Sequence, residues 1–152
     1  MLKMGTVKEV REIVKLKQET IEEREFIYNR IFSSKDLGRW IVKKIGSDSQ
    51  ENFLLIGLNT RMQINVISTV FIGGITSANV QIAPIFQRLL LSNCTRFIIA
   101  HNHPGGSTEP SKADAGTTER IKKAGEIMGI HLLDHIIVND RNYLSFAEEE
   151  LL

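Results

Sequence analysis

Arg96-Phe-Ile-Ile-Ala-His-Asn-His-Pro-Gly-Gly-Ser-Thr-Glu-Pro-Ser-Lys-Ala-Asp114 is the stretch on which the reading of this chain turns. Its first five residues form a short apolar run that reads as a buried strand. His101 and His103 therefore sit at a strand's C-terminal end. Alternate strand residues share a face, so both imidazoles reach toward one point while Asn102 points away. The Pro104-Gly-Gly-Ser107 segment turns the chain, and Pro110 and Ser111 open a helix whose first turn brings Asp114 back to the histidines. Two neutral imidazoles and one carboxylate suit Zn²⁺ with a fourth position open to water, the pattern of catalytic rather than structural zinc. Each part alone has a plainer reading. A His-x-His pair can be polar strand rim, and an aspartate at a helix start is favoured by the dipole without any metal.

The spacing of four residues decides between these readings: His-x-His, seven residues, Ser111, two residues, Asp114. This matches the JAMM (MPN-plus, JAB1-type) metalloprotease motif at all four positions, and that motif also calls for a glutamate on an upstream strand. Glu51 meets the requirement, at the head of the apolar run Glu51-Asn-Phe-Leu-Leu-Ile-Gly-Leu58. In isolation it would read as a solvated strand end. Beside a zinc-bound water it has a task, accepting the water's proton and delivering it to the leaving amine.

More closely, the chain resembles the RadC family, bacterial proteins with a JAMM-type domain. Glu51 to Phe53, His101 to Pro104, Pro110 to Asp114 and Leu133 to Ile137 carry the resemblance, which covers roughly Ser33 to the C-terminus. Two stretches depart from the family's pattern. Gly105-Gly106-Ser107 replaces its usual Ser-Gly-Asp, and Gln81-Ile82-Ala83-Pro84 replaces a helix opened by Pro-Arg-Glu. Neither touches a metal position, so they bear on substrate contacts. Family members often carry an N-terminal helix-hairpin-helix DNA-binding module, and the chain shows no Gly-x-Gly hairpin of that kind. The resemblance implies a JAB/MPN-like (cytidine-deaminase-like) α/β fold, α-β-α layers around a mixed, largely antiparallel sheet.

The 152 residues, 42% hydrophobic, suffice for one domain with a single core. The expected division is an N-terminal strand and charged extension over residues 1–32 and a metalloprotease-like core over 33–152. Met1 to Gly5 is too short and polar for a signal sequence, and no apolar run approaches the ~20 residues of a membrane span. A cytoplasmic location with no membrane partner is expected. The lone Cys94 rules out an intramolecular disulfide and reads as a small core residue. Net charge is +1, with 11 basic against 7 acidic residues up to Ile45 and 8 against 11 after it. Nucleic-acid-binding domains usually have a stronger basic footprint. Lys15, Lys17, Arg24 and Arg30 are interspersed with Glu19, Glu22, Glu23 and Glu25, the pattern of a solvated face.

Val7 to Lys17 fits either period, and the family resemblance places an edge strand there. Ser33 or Ser34 caps a helix running to about Lys44, with Leu37, Trp40 and Ile41 inward and Gly46 as its stop. The Glu51 strand and Ile64 to Ile72 make an antiparallel hairpin. Gly73-Gly74 is a plain loop, since no Lys-Ser or Lys-Thr follows to make a phosphate cradle. A helix spans about Val80 to Ser92, with Ile82, Ile85, Phe86 and Leu89 inward and Pro84 tolerated in its first turn. The second long helix runs from about Ser111 to Met128 and stops at Gly129. Ile130 to Val138 and Tyr143 to Phe146 close with a hairpin.

His131, Asp134 and His135 lie among Leu132, Leu133, Ile136 and Ile137. They read most simply as packing and hydrogen-bonding residues; alternatively Asp134 or His135 orients a ligand histidine from behind. The expected function is metal-assisted hydrolysis of a peptide or isopeptide bond. Zinc is held by His101, His103 and Asp114, Glu51 is the proton carrier, and Ser111 the donor to the oxyanion. The competing expectation is a non-catalytic, metal-stabilised module working with DNA or DNA-repair proteins. A nuclease of the HNH type is excluded, because those enzymes disperse the three residues over a ββα unit.

Overall fold

A computed structural model describes residues 33–74 and 79–152. The expected strand at Val7 to Lys17, the charged face that follows it and the 1–32 extension lie outside the described residues. Helix α1 (Ser34–Ile45) is followed by strands β1 (Asn52–Leu58) and β2 (Ile64–Ile72), helix α2 (Ile82–Leu91) and strand β3 (Arg96–Asn102). Helix α3 (Lys112–Met128) then leads to β4 (His131–Val138) and β5 (Tyr143–Ser145). The strands form one mixed sheet in the order β2-β1-β3-β4-β5, parallel only between β3 and β4.

The helix ends follow from local chemistry. Ser33 caps α1 by accepting the Asp36 N–H, and Lys43 and Lys44 lie at the helix's negative end. Gln81 precedes α2, which places Pro84 in the first turn, where its missing N–H costs no helical bond. Gly129 ends α3 at φ 70°, a left-handed conformation that glycine adopts without strain.

Pleating divides the apolar residues between two faces rather than gathering them in the single core expected from the sequence. Phe53, Leu55, Phe97 and Ile99 point to one side and meet Ile85, Phe86 and Leu89 of α2 and Ile121 of α3. Leu54, Ile56, Leu58, Ile98 and Ala100 point to the other and meet Leu37, Ile41 and Ile45 of α1. The reason is positional: β1 and β3 are central strands covered on both faces, so every residue of β1 is buried. Each large side chain so buried contributes on the order of 1.5–3 kcal/mol. Trp40 sits at the margin of the α1 core, half-buried, with the Lys44 ammonium 5.2 Å above its ring. Ile82 likewise packs only partly, at the edge of the α2 face.

The same alternation aims β3's polar end. His101 continues the face of Phe97 and Ile99, toward α3, and Asn102 continues the face of Ile98 and Ala100. A bulge then alters β4. Phe97 pairs with Leu132 but Ile98 with Asp134, one residue further on. Two positions on the bulged strand oppose one on its neighbour, which exchanges the faces of the following residues. His135 thereby comes to pair with Ile99 and to face α3 beside His101. Among the described residues no helix is long and apolar enough to cross a membrane.

Candidate metal centre

His101, His103 and Asp114 converge where the end of β3 meets the start of α3. The two Nε2 atoms are 2.9 Å apart. His101 Nε2 lies 3.1 Å from Asp114 Oδ1, and His103 Nε2 lies 3.3 Å from Oδ2. His101 and Asp114 are buried and His103 is half-buried. Asp114 is fixed by α3 itself. Its Oδ2 accepts the Ser111 N–H at 2.7 Å, while its own N–H donates to Ser111 Oγ at 3.1 Å, a complete capping box.

Burial pushes the Asp114 carboxyl up. The adjacent imidazoles of His101 and His103 and the Ser111 N–H outweigh it and hold Asp114 far below the usual carboxylate range. The hydrogen bond to Asp114 raises His103, against partial burial and with help from the Ser107 carbonyl and the charges of Asp114 and Glu51. His103 Nδ1 lies 2.8 Å from the Ser107 carbonyl oxygen. A carbonyl cannot donate, so Nδ1 carries the proton and, in the neutral ring, the Nε2 lone pair faces the centre.

Three donors of this kind fit a zinc ion. Tetrahedral ligands at about 2.0–2.2 Å from zinc lie roughly 3.3 Å from one another, and the three donor atoms lie within 4.8 Å of one another, each imidazole nitrogen having its own nearer carboxylate oxygen at 3.1 or 3.3 Å. The residues in place would hold the metal with two imidazole nitrogens and one carboxylate oxygen.

The register of β1 against β3 brings Glu51 to the same place. Phe53 pairs with His101 in the last rung of the ladder, and Glu51, two residues before it, lies near enough for its charge to act on His103. Asn102 holds the segment that carries Glu51. From the opposite face its buried side chain accepts the Asn52 N–H at 2.7 Å and donates to the Gln50 carbonyl at 2.9 Å and the Asp48 carbonyl at 3.3 Å. Ser111 is exposed at the rim. Accepting the Asp114 N–H occupies one of its lone pairs, and the hydroxyl proton is not used by that bond.

Two contacts have no signal in the sequence. Strand alternation puts Asn102 on the far face but does not mark it as the clamp on residues 48–52. Thr118 was not singled out, although it lies one helical turn after Asp114 and its hydroxyl contacts both the Asp114 carbonyl and His135. Of the three residues grouped in β4, only His135 touches the centre, with its Nε2 at 2.8 Å from His101 Nδ1. Asp134 instead accepts hydrogen bonds from Ser145 and the Ala147 N–H, and His131 is exposed.

Residues 31–151 match the family model of the RadC-like JAB domain. The chain belongs to the RadC-like JAB family. The mixed five-stranded sheet and three helices of its described residues make the α/β, JAB/MPN-like architecture that the resemblance implied. A UPF0758 protein of Streptococcus suis is 36% identical over 148 residues, which are 96% of this chain and 60% of that protein. A UPF0758 protein of Streptococcus gordonii is likewise 36% identical, with 66% of its length covered. One of Carboxydothermus hydrogenoformans is 42% identical over 116 residues, 76% of this chain and 51% of its own. The RadC-like chain thus spans about half to two thirds of the length of these relatives.

Proposed function

We propose that this RadC-like domain is a zinc-dependent hydrolase acting on peptide or isopeptide bonds of a peptide or protein substrate. The observation that carries the reading is the convergence of the His101, His103 and Asp114 donor atoms at one lip of the sheet, within reach of the charge of Glu51. When bound there, zinc lowers the pKa of a water to about 7 and polarises the scissile carbonyl. Every other part of the chemistry belongs to side chains of the chain. Glu51 takes a proton from the attacking water and returns it to the leaving nitrogen, whose departure needs that proton. The Ser111 hydroxyl donates to the carbonyl oxygen as it gains charge, an interaction worth about 2.7–4 kcal/mol for such donors in other amidases. Asp114 stays ionised throughout, since its pKa lies far below neutrality. Asn102 keeps the Glu51 segment against β3.

Elemental analysis of tag-free protein tests the metal. About one zinc per chain in wild type and its loss in His103→Ala is the expected result. Zinc should also raise the midpoint of unfolding, by the equivalent of about 2.7 kcal/mol at a free concentration of 100 Kd. Glu51→Gln should keep the zinc and abolish hydrolysis in a screen of peptide and isopeptide substrates. No zinc in wild type after incubation with Zn²⁺ and dialysis would remove the proposed mechanism. Zinc without hydrolysis, together with salt-dependent binding of DNA, would favour a non-catalytic module.

A further inference from the structure

We propose that Thr118 and His135 are positioning residues that fix the tautomer of His101, keeping its Nε2 as a lone pair for a divalent cation. The inference rests on reading His101, His103 and Asp114 as a metal centre.

Four groups are joined in a circuit that begins and ends on Asp114. The Thr118 hydroxyl oxygen lies 2.7 Å from the Asp114 carbonyl oxygen. It also lies 2.6 Å from His135 Nδ1, and His135 Nε2 lies 2.8 Å from His101 Nδ1. His101 Nε2 then closes on the Asp114 carboxylate at 3.1 Å. Two oxygens at 2.7 Å need a proton between them, and a carbonyl has none to give. The Thr118 proton must therefore point at Asp114, and every later bond follows from one proton per neutral imidazole. Thr118 Oγ can only accept, so His135 carries its proton on Nδ1. His135 Nε2 is then an acceptor, so His101 carries its proton on Nδ1. The His101 Nε2 lone pair is what remains, and it faces His103 and Asp114. The Asp114 backbone thus sets the protonation of the neighbour that its own carboxylate meets.

Packing alone does not call for this arrangement. His135 is fully buried and stacked on Phe146, with ring centroids 4.7 Å apart and planes at 26°. A phenylalanine would suit such surroundings. Instead both ring nitrogens are bonded, and the β4 bulge is what turns the ring toward His101. Thr118 is buried as well, at 3% exposure, so water does not substitute for its hydroxyl.

The opposite polarity is what the circuit prevents. With the Thr118 hydroxyl removed, His135 Nδ1–H has no acceptor. Moving that proton to Nε2 gives it a partner in His101 Nδ1, which forces the His101 proton onto Nε2, where it blocks a metal.

The test combines ¹⁵N NMR of histidine-labelled, metal-free protein with zinc affinity measured by competition with a chromophoric chelator. Wild type should show His101 as the Nδ1–H tautomer. Thr118→Val, which keeps the side chain's size, should shift it to Nε2–H and weaken zinc about 10–100-fold. His135→Phe should weaken zinc to a similar degree. His135→Gln, whose amide can both donate and accept, should recover part of the loss. If His135→Phe does not fold, Thr118→Val and His135→Gln carry the test. Wild-type zinc affinity and an unchanged His101 tautomer in Thr118→Val would overturn the proposal, even if the variant melts at a lower temperature. His103→Ala separates the two readings. Retention of zinc there defeats the metal centre itself, whereas its loss alongside wild-type binding in Thr118→Val defeats only the circuit.

Discussion

The backbone N–H of Asn52 donates to Asn102 Oδ1 at 2.7 Å, tying the residue after Glu51 to the residue between the two histidines. One buried amide therefore holds three backbone groups of the 48–52 segment.

Asn102→Ala removes the partner of the buried Asn52 N–H and one donor each from the carbonyls of the exposed Gln50 and Asp48, the former keeping Asn52 Nδ2 at 3.2 Å. The expected cost is about 1–3 kcal/mol for each buried group left unsatisfied, less where water enters. Denaturant unfolding measures the loss, and amide exchange should quicken at Asn52 before it does in α3. Hydrolytic activity, where it can be assayed, should fall in kcat more than in KM, because Glu51 is displaced and the ligands are not.

Ser111 combines a cap with a proposed donor, and two substitutions separate them. Ser111→Ala should destabilise α3 by about 1 kcal/mol, whereas glycine, a tolerated N-cap, should cost only a few tenths. Hydrolysis should drop alike in both variants, since both lack the hydroxyl. Activity that tracked stability instead would confine Ser111 to capping.

Burial raises the Asp134 carboxyl above its usual range, with Glu148 adding to the shift, against hydrogen bonds from Ser145 and Ala147. A folded pKa above the unfolded value means that the folded state binds more protons between the two. The favourable contribution is complete below the unfolded pKa and is lost as pH rises through the folded one. Asp134→Asn keeps an acceptor for Ala147 and a partner for Ser145 without the charge. Its stability relative to wild type should be greatest at neutral pH and should shrink as pH falls toward 4. Asp134→Ala, with neither bond, should lose about 1–3 kcal/mol at both. Thermal melts across pH check the order of the three.

Gly125 lies inside α3, where helix propensity favours alanine by about 1 kcal/mol. A Cβ there would collide with the Ile130 carbonyl oxygen and press on the Phe97 ring. The carbonyl belongs to the turn in which the Ile130 N–H donates to the Gly125 carbonyl at 2.9 Å, so it cannot withdraw without breaking that bond. Gly125→Ala should therefore lower stability by about 1–3 kcal/mol, the range of overpacked cores. A gain on thermal melting would show that the turn adapts.

What could be read from the sequence was what local periodicity encodes. Two residues of spacing put His101 and His103 on one strand face, and a helix start after Pro110 brought Asp114 to them. The helix limits at Ser33, Gly46 and Gly129 followed from capping residues. Information carried by strand pairing was less accessible. Nothing between Leu132 and His135 marks a bulge, so the alternation Leu132, Asp134, Ile136 would naturally have put His135 on the α1 face. The two-faced core was not visible in the apolar pattern, since an unbroken apolar run in β1 shows that the strand is buried but not what covers it; the α-β-α layers implied by the family resemblance are what anticipated it. Asn102 gave no hint of its three bonds, because its partners lie about fifty residues earlier in the chain.

Asp114 Oδ2 faces His103 and also accepts the Ser111 N–H that completes the capping box. One oxygen therefore answers to two demands, one for starting the longest described helix and one for the proposed metal chemistry. A lineage without that chemistry would still lose helix stability by replacing this aspartate, and would tend to retain it. An aspartate at this position in a relative testifies to helix nucleation as much as to turnover.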